Sequence, residues 1–333
     1  MRSKKPANSS QKQPNNKKAS KRTERTAPAG ERHKKAAPRG GSGTRKPFSE
    51  TKPAKTPNMI DANQPVEGER IQKVLARGGV GSRREIERWI EEGRIKLNGA
   101  DVSPGARLKA GDFLQINGRV VHWEKFGQQP ARVLLYHKPT GEVVTRRDPE
   151  GRPVIFAQMP KLDVGRWIAV GRLDINTSGL LLVTNNGELA NRLMHPSTAV
   201  EREYAVRILG EVSDATMEKL KQGVELEDGK AKFDDIQFAG GEGANKWYHV
   251  IVTEGRNRLV RRLWESQEVT VSRLIRLRYG PVVLPERLKT QNFYELTDKE
   301  LDLLFDFAGM AREERTVAAE PEAKNSKPGR RQR

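Results

Sequence analysis

Large apolar residues are almost absent from residues 1 to about 65 and then recur at regular intervals. The opening stretch is Lys, Arg, Pro, Ser, Asn and Ala, and burial cannot offset the entropy of ordering it. It is expected to be a disordered basic tail over 1–65, and residues 311–333 are expected to form a shorter one. Periodicity begins near Glu69, where Ile71, Val74 and Leu75 share one helical face and Gly78-Gly79 closes the turn. Ser82-Arg83-Arg84-Glu85 has the form of a capping box and opens a second helix carrying Ile86, Trp89 and Ile90. Strands follow over 95–97 and 113–116, each ending in an Asn-Gly turn (Asn98-Gly99 and Asn117-Gly118). The pattern predicts a small unit over 68–120, two helices on a short sheet.

Over 130–308 the pattern changes to short β-rich runs. Strands are predicted at 133–136, 167–170, 180–184, 204–208, 233–238 and 247–253, and helices at 189–194, 216–222 and 259–266. The fold class expected for the whole chain is α+β, with a mixed, largely antiparallel sheet in the larger domain.

Charge narrows the class of partner. Sixty-two Lys and Arg against 43 Asp and Glu leave a formal charge of +19, which favours a polyanion through counterion release. Residues 1–60 hold seventeen Lys/Arg against three Glu. Such a tail reads equally as a solubilising segment and as a non-specific RNA-gripping arm. A membrane-surface protein would need an apolar anchor, and the sequence offers none. The chain has no cysteine, which excludes thiol catalysis and zinc-thiolate sites, and its five histidines show no ligand spacing. No metal is expected, and the protein is expected to be cytoplasmic.

The chemistry centres on Gly171-Arg172-Leu173-Asp174, which precedes Ile175-Asn176-Thr177-Ser178 and the apolar run Gly179-Leu180-Leu181-Leu182-Val183. A single carboxylate stands in a Gly-flanked turn at the mouth of a buried strand. By itself it is either a turn cap or a nucleophile. Arg202-Glu203-Tyr204 puts an aromatic ring into a strand pattern, where core packing is the ordinary role. Glu254-Gly255-Arg256-Asn257-Arg258 leads into a basic helix, whose start suits a phosphate. Arg261 and Arg262 are adjacent on that helix and point in different directions, so one can turn inward to a carboxylate.

Two resemblances join these pieces. Arg70-Ile71-Gln72-Lys73-Val74-Leu75-Ala76, Ser82-Arg83-Arg84 and Gly93-Arg94-Ile95-Lys96-Leu97-Asn98-Gly99 resemble the S4 RNA-binding domain. That likeness implies RNA contacts at Lys73, Arg77, Ser82, Arg83, Arg84, Arg94, Lys96 and Asn98. Tyr136-His137-Lys138-Pro139-Thr140-Gly141, Gly171-Arg172-Leu173-Asp174, Arg202-Glu203-Tyr204 and Glu254-Gly255-Arg256-Asn257-Arg258 with Arg261-Arg262 resemble, in order, the motifs of the RsuA/RluB branch of pseudouridine synthases. The stretches 148–153, 191–197 and 240–243 are most similar to the large-subunit members. Asn257-Arg258 departs from the wider family, where many members carry His-Gln.

The resemblance implies an isomerase that converts one uridine of ribosomal RNA to pseudouridine with no cofactor. Asp174 would be the catalytic carboxylate, Tyr204 would stack on the flipped-out base, and Arg261 would pair with Asp174. Val260 would pack beside the tyrosine, and Arg172 would fill the gap left by the base. Arg256 and Arg258 would contact RNA. The expected partner is 23S ribosomal RNA, free or in an assembly intermediate, and the protein is expected to act as a monomer. Two other readings are a non-catalytic RNA-binding factor and a glycosylase that releases uracil to water.

Overall fold

The computed structural model describes residues 68–127 and 129–311. The tail expected over 1–65 lies outside the described residues, as does the one expected over 311–333 apart from Ala311.

The N-terminal unit forms as its pattern dictates. Helix α1 (Ile71–Arg77) and helix α2 (Arg83–Glu91) pack Ile71, Val74, Leu75, Ile86 and Ile90 into one core. Ser82 and Glu85 close a reciprocal cap at the start of α2, with bonds of 3.1 and 3.2 Å. A four-stranded antiparallel sheet completes the unit, in the order β2 (Ala100–Asp101), β1 (Ile95–Leu97), β3 (Leu114–Ile116), β4 (Arg119–Val121).

The larger domain is built on a nine-stranded sheet. Its main strands are β5 (Val133–Lys138), β6 (Ser178–Thr184), β7 (Arg202–Leu209), β8 (Asp235–Gly240), β9 (Asn245–Val252), β10 (Thr270–Tyr279) and β11 (Phe293–Glu295). They run in the spatial order β8-β9-β7-β10-β6-β5-β11. All neighbours in this row are antiparallel except β6 and β10, which run parallel. Helices α3 (Gly187–Met194) and α6 (Asp298–Phe307) bury Leu189, Leu193, Leu304 and Phe305 against one face. Helices α4 (Asp214–Gln222) and α5 (Leu259–Glu265) bury Leu220, Leu263 and Trp264 against the other. Strands covered on both faces read as continuous apolar runs, which is why Leu180 to Val183 lack alternation.

The expected architecture holds, with differences of detail. β10, ten residues long and bonded to both β7 and β6, escapes the pattern because Arg273, Arg276 and Arg278 interrupt its apolar residues. The strand predicted at 233–238 begins two residues later, because Phe233 packs at a tilt against Trp264 from the preceding loop. The strand predicted over 167–170 is confined to Ile168–Ala169. α6 escapes the apolar count yet carries its own signal, a capping box from Thr297 to Glu300. Among the described residues no helix is long and apolar enough to cross a membrane.

Candidate active site

The parallel contact between β6 and β10 is short, with only Ser178 opposite Ile275 and Gly179 opposite Arg276. The cavity opens where β6 begins, beside the second half of β10. Gly179 stands at φ +105°, and a Cβ there would lie 2.3 Å from the carbonyl oxygen of Arg276. Only glycine allows the loop 171–177 to enter the sheet at this point.

Two buried cations hold that loop by its backbone. The Lys138 ammonium, fully buried at the end of β5, donates to the main-chain oxygens of Pro139 at 2.8 Å, Thr177 at 2.9 Å and Asp174 at 3.2 Å. Burial pulls its pKa down to about 8, against the opposing pull of Glu142 and Asp174. Glu142 is itself buried and accepts from the Tyr136 hydroxyl at 2.7 Å. Arg261, on α5, donates to the oxygens of Asn176 and Val271, each at 2.9 Å. The loop is further fixed by Gly141 N to Ile175 O at 2.8 Å and by Thr177 N to Asp174 O at 3.0 Å.

These bonds occupy carbonyls and leave the Asp174 side chain, half-buried, facing a cavity of about 970 Å³. Arg172, Tyr204, Arg256, Arg258 and Val260 line the same cavity. Tyr204 and Val260 are buried in its wall, and Arg172 is exposed at its rim. Arg261 stands behind the wall. Its guanidinium is within electrostatic reach of Asp174, while its hydrogen bonds go to the carbonyls, so the direct carboxylate pair expected from the motif is replaced by a backbone clamp. Burial and the nearby Arg258 lower its pKa, and Asp174 opposes that shift. Arg262, its neighbour, turns outward to Asp228 at 2.9 Å.

Arg256 is tied to Glu254 at 2.6 Å and to Asp228 at 3.1 Å, and Arg258 meets Glu265 at 3.2 Å. Glu254 is the second carboxylate of the cavity wall, and Arg256 neutralises it.

A description of the RNA pseudouridylate synthase family matches residues 132–266, and one of the S4 domain matches residues 69–114. Ribosomal large subunit pseudouridine synthase B of Haemophilus influenzae is 48% identical over 269 residues, which cover 80% of this chain and 75% of that protein. The chain belongs to the RNA pseudouridylate synthase family. The protein of the same description from Pseudomonas aeruginosa is 56% identical over 230 residues, 69% of this chain and 60% of that protein's length. The Escherichia coli K12 protein is 56% identical over 217 residues, 65% and 75% of the two chains. In fold, the synthase matches a crystal structure of a pseudouridylate synthase with a TM-score of 0.50 at 24% identity, covering 71% of this chain and 99% of that one.

The S4 residues separate into two groups. Lys73, Arg77, Ser82, Arg83 and Arg84 line a second cleft of about 380 Å³, whose other wall includes Arg166. Arg94, Lys96 and Asn98 lie elsewhere, on the small sheet. Arg94 bonds Asn117 at 2.9 Å and stacks on Trp89, Lys96 pairs with Asp101, and Asn98 accepts from Phe113 N at 2.8 Å. Ser82 caps α2, and Arg77 donates to Glu69 and to the Phe126 oxygen. Lys138, within a motif quoted for its likeness alone, is the site residue that sequence reasoning left without a role. A lysine ending a mostly apolar strand was the available signal.

Proposed function

We propose that this synthase isomerises one uridine of large-subunit ribosomal RNA to pseudouridine, with Asp174 as its catalytic carboxylate. The supporting observation is an Asp174 side chain that faces a cavity wide enough for a nucleotide while its own loop is clamped through carbonyl oxygens. In the proposed reaction the bond from C1′ to N1 breaks, the uracil turns within the cavity, and C1′ bonds to C5. The C5 proton leaves to solvent and N1 takes up a proton in its place, so the product is an isomer of the substrate and no water is added across the bond.

Each wall residue has a part in this reading. Tyr204 offers a ring face to the flipped base. Arg261 and Lys138 keep the Asp174 loop rigid and place positive charge beside it, a preorganised setting for the charge that develops in the reaction. Arg172, exposed at the rim, occupies the space vacated in the RNA stack. Lys73, Arg83 and Arg84 grip phosphates and set register. The protein acts as a monomer in this reading, and its names among relatives direct it to the large subunit.

A large-subunit rRNA transcript labelled with tritium at C5 of uridine tests the proposal. Release of about one equivalent of tritium per transcript, with no free uracil, is expected for a single-site isomerase. Free uracil would identify a glycosylase instead, and absence of both products would contradict catalysis.

A further inference from the structure

Arg276 is 2% exposed, and its Nη2 has no hydrogen-bond partner. Its Nε donates to the Leu180 oxygen at 2.7 Å, and its guanidinium lies 5.0 Å from the ring centre of Tyr279. From the adjacent strand, the Arg202 guanidinium lies 5.2 Å from the same ring. Arg202 donates to the oxygens of Val200 and Thr253, and the Tyr279 hydroxyl is fixed on the Leu193 oxygen at 2.8 Å. Arg202, Arg276 and Tyr279 all line the Asp174 cavity.

Neither Arg202 nor Arg276 forms an ion pair among the described residues, although acids are at hand. Glu201 and Glu203 flank Arg202 in sequence, yet both turn to Arg278, at 2.9 and 3.0 Å. Glu203 also meets His249 at 3.2 Å. The outward arginine of β10 is thus neutralised twice over, and the two that face the cavity are left bare. A buried guanidinium with an unmade bond and no counter-charge is unfavourable unless a ligand supplies both. Two permanent cations converging on one ring suit a full anion better than a neutral carbonyl, and a guanidinium fork matches phosphate oxygens. Arg276 stands directly across the ladder from Tyr204, so a base against Tyr204 and a phosphate on Arg276 fit within one nucleotide.

We propose that Arg202 and Arg276, stacked on Tyr279, form a phosphodiester cradle that holds the backbone of the flipped-out nucleotide inside the cavity. The inference rests on the RNA-modifying reading of the Asp174 cavity. It is tested by calorimetric binding of uridine, uridine 5′-monophosphate, uridine 3′-monophosphate and uridine 3′,5′-bisphosphate to wild type, Arg276→Met and Arg276→Lys. Wild type is expected to prefer the bisphosphate over uridine by roughly tenfold or more, as for charge-assisted bonds. Arg276→Met should lose that preference while its affinity for uridine stays unchanged, and Arg276→Lys should keep part of it. The two monophosphates identify which side of the nucleotide is held.

For a large-subunit rRNA transcript, the slope of log affinity against log salt should fall by about 0.7 to 0.9 in Arg276→Met, the share of one phosphate. Equal weakening of uridine and bisphosphate, or an unchanged preference with only kcat lowered, would overturn the cradle. Should Arg276→Met fail to fold, Arg276→Lys and Arg202→Met carry the same comparison. Binding is measured without turnover, so a wild type that prefers the bisphosphate yet converts no uridine overturns the proposed reaction and leaves the cradle standing.

Discussion

The ammonium of Lys138 reaches the main-chain oxygen of Asp174 at 3.2 Å, while the Asp174 carboxylate faces the open cavity. The cation holds the backbone of Asp174, the carboxylate proposed to be catalytic, and leaves its side chain free. Arg261 does the same two residues further on, through Asn176. A loop clamped by its carbonyls can present one carboxylate without movement, and preorganisation of that kind removes reorganisation from the chemical step.

The Lys138 clamp carries a pH signature. Its pKa falls from 10.5 to about 8 through burial, so between those values the folded protein binds fewer protons than the unfolded chain. Stability from this group therefore rises with pH across that window, and its penalty is fully in force below pH 8. Lys138→Met has no such group. The unfolding free energy of wild type minus that of Lys138→Met, from urea titrations, should increase between pH 7.5 and 10.5 by up to about 3 kcal/mol. A difference that stays flat across the window would contradict a charged, buried Lys138.

Arg261 is expected to serve stability and catalysis together. Arg261→Met removes two bonds from a charged donor to buried carbonyls, which costs about 2–4 kcal/mol in thermal or urea unfolding. It also frees Asn176 and the Asp174 loop, so kcat should fall more than the transcript dissociation constant rises. A variant that is destabilised but retains full kcat would show that the clamp has no part in presenting Asp174.

Gly179→Ala tests the entry of the loop into the sheet. The added Cβ would sit 2.3 Å from the Arg276 oxygen at φ +105°, and both effects act against folding. A loss of about 3 kcal/mol or more is expected, from strain and overpacking together. Gly171→Ala, at φ +77° with no atom within 4 Å, meets only the backbone strain and should lose less. Equal losses in the two variants, read from their melting temperatures, would contradict the close approach of β6 to β10.

The basic tail makes a prediction that depends on charge alone. Removal of residues 1–60 deletes seventeen Lys/Arg and three Glu. The salt dependence of transcript binding should become shallower, because fewer counterions are released, while kcat stays close to wild type. An unchanged salt slope would show that the tail makes no phosphate contact in the complex.

Much of this architecture is legible in the sequence because local signals agree with the packing. The capping box at Ser82, the Asn-Gly turns and the unbroken run Leu180 to Val183 each specify one structure. The placement of Asp174, Tyr204 and Val260 around one cavity follows from motif order. β10 was hidden because its arginines interrupt the apolar residues, and because the register shift opposite Glu203 and Tyr204 sends Arg278 outward and Arg276 inward, which a period-2 pattern cannot anticipate. The backbone clamp was hidden for a related reason. A motif records that Arg261 accompanies Asp174, but the choice between a carboxylate and the carbonyl of Asn176 is made by the fold of the loop.

The most direct test of the central claim uses unmodified 23S rRNA incubated with wild type and with Asp174→Asn. Pseudouridines are then mapped by carbodiimide adducts and reverse-transcription stops. A single stop present with wild type and absent with Asp174→Asn, whose affinity for the RNA is nearly unchanged, is the predicted result. The same stop appearing with Asp174→Asn would contradict the assignment of Asp174, and no stop with either protein would contradict the proposed activity.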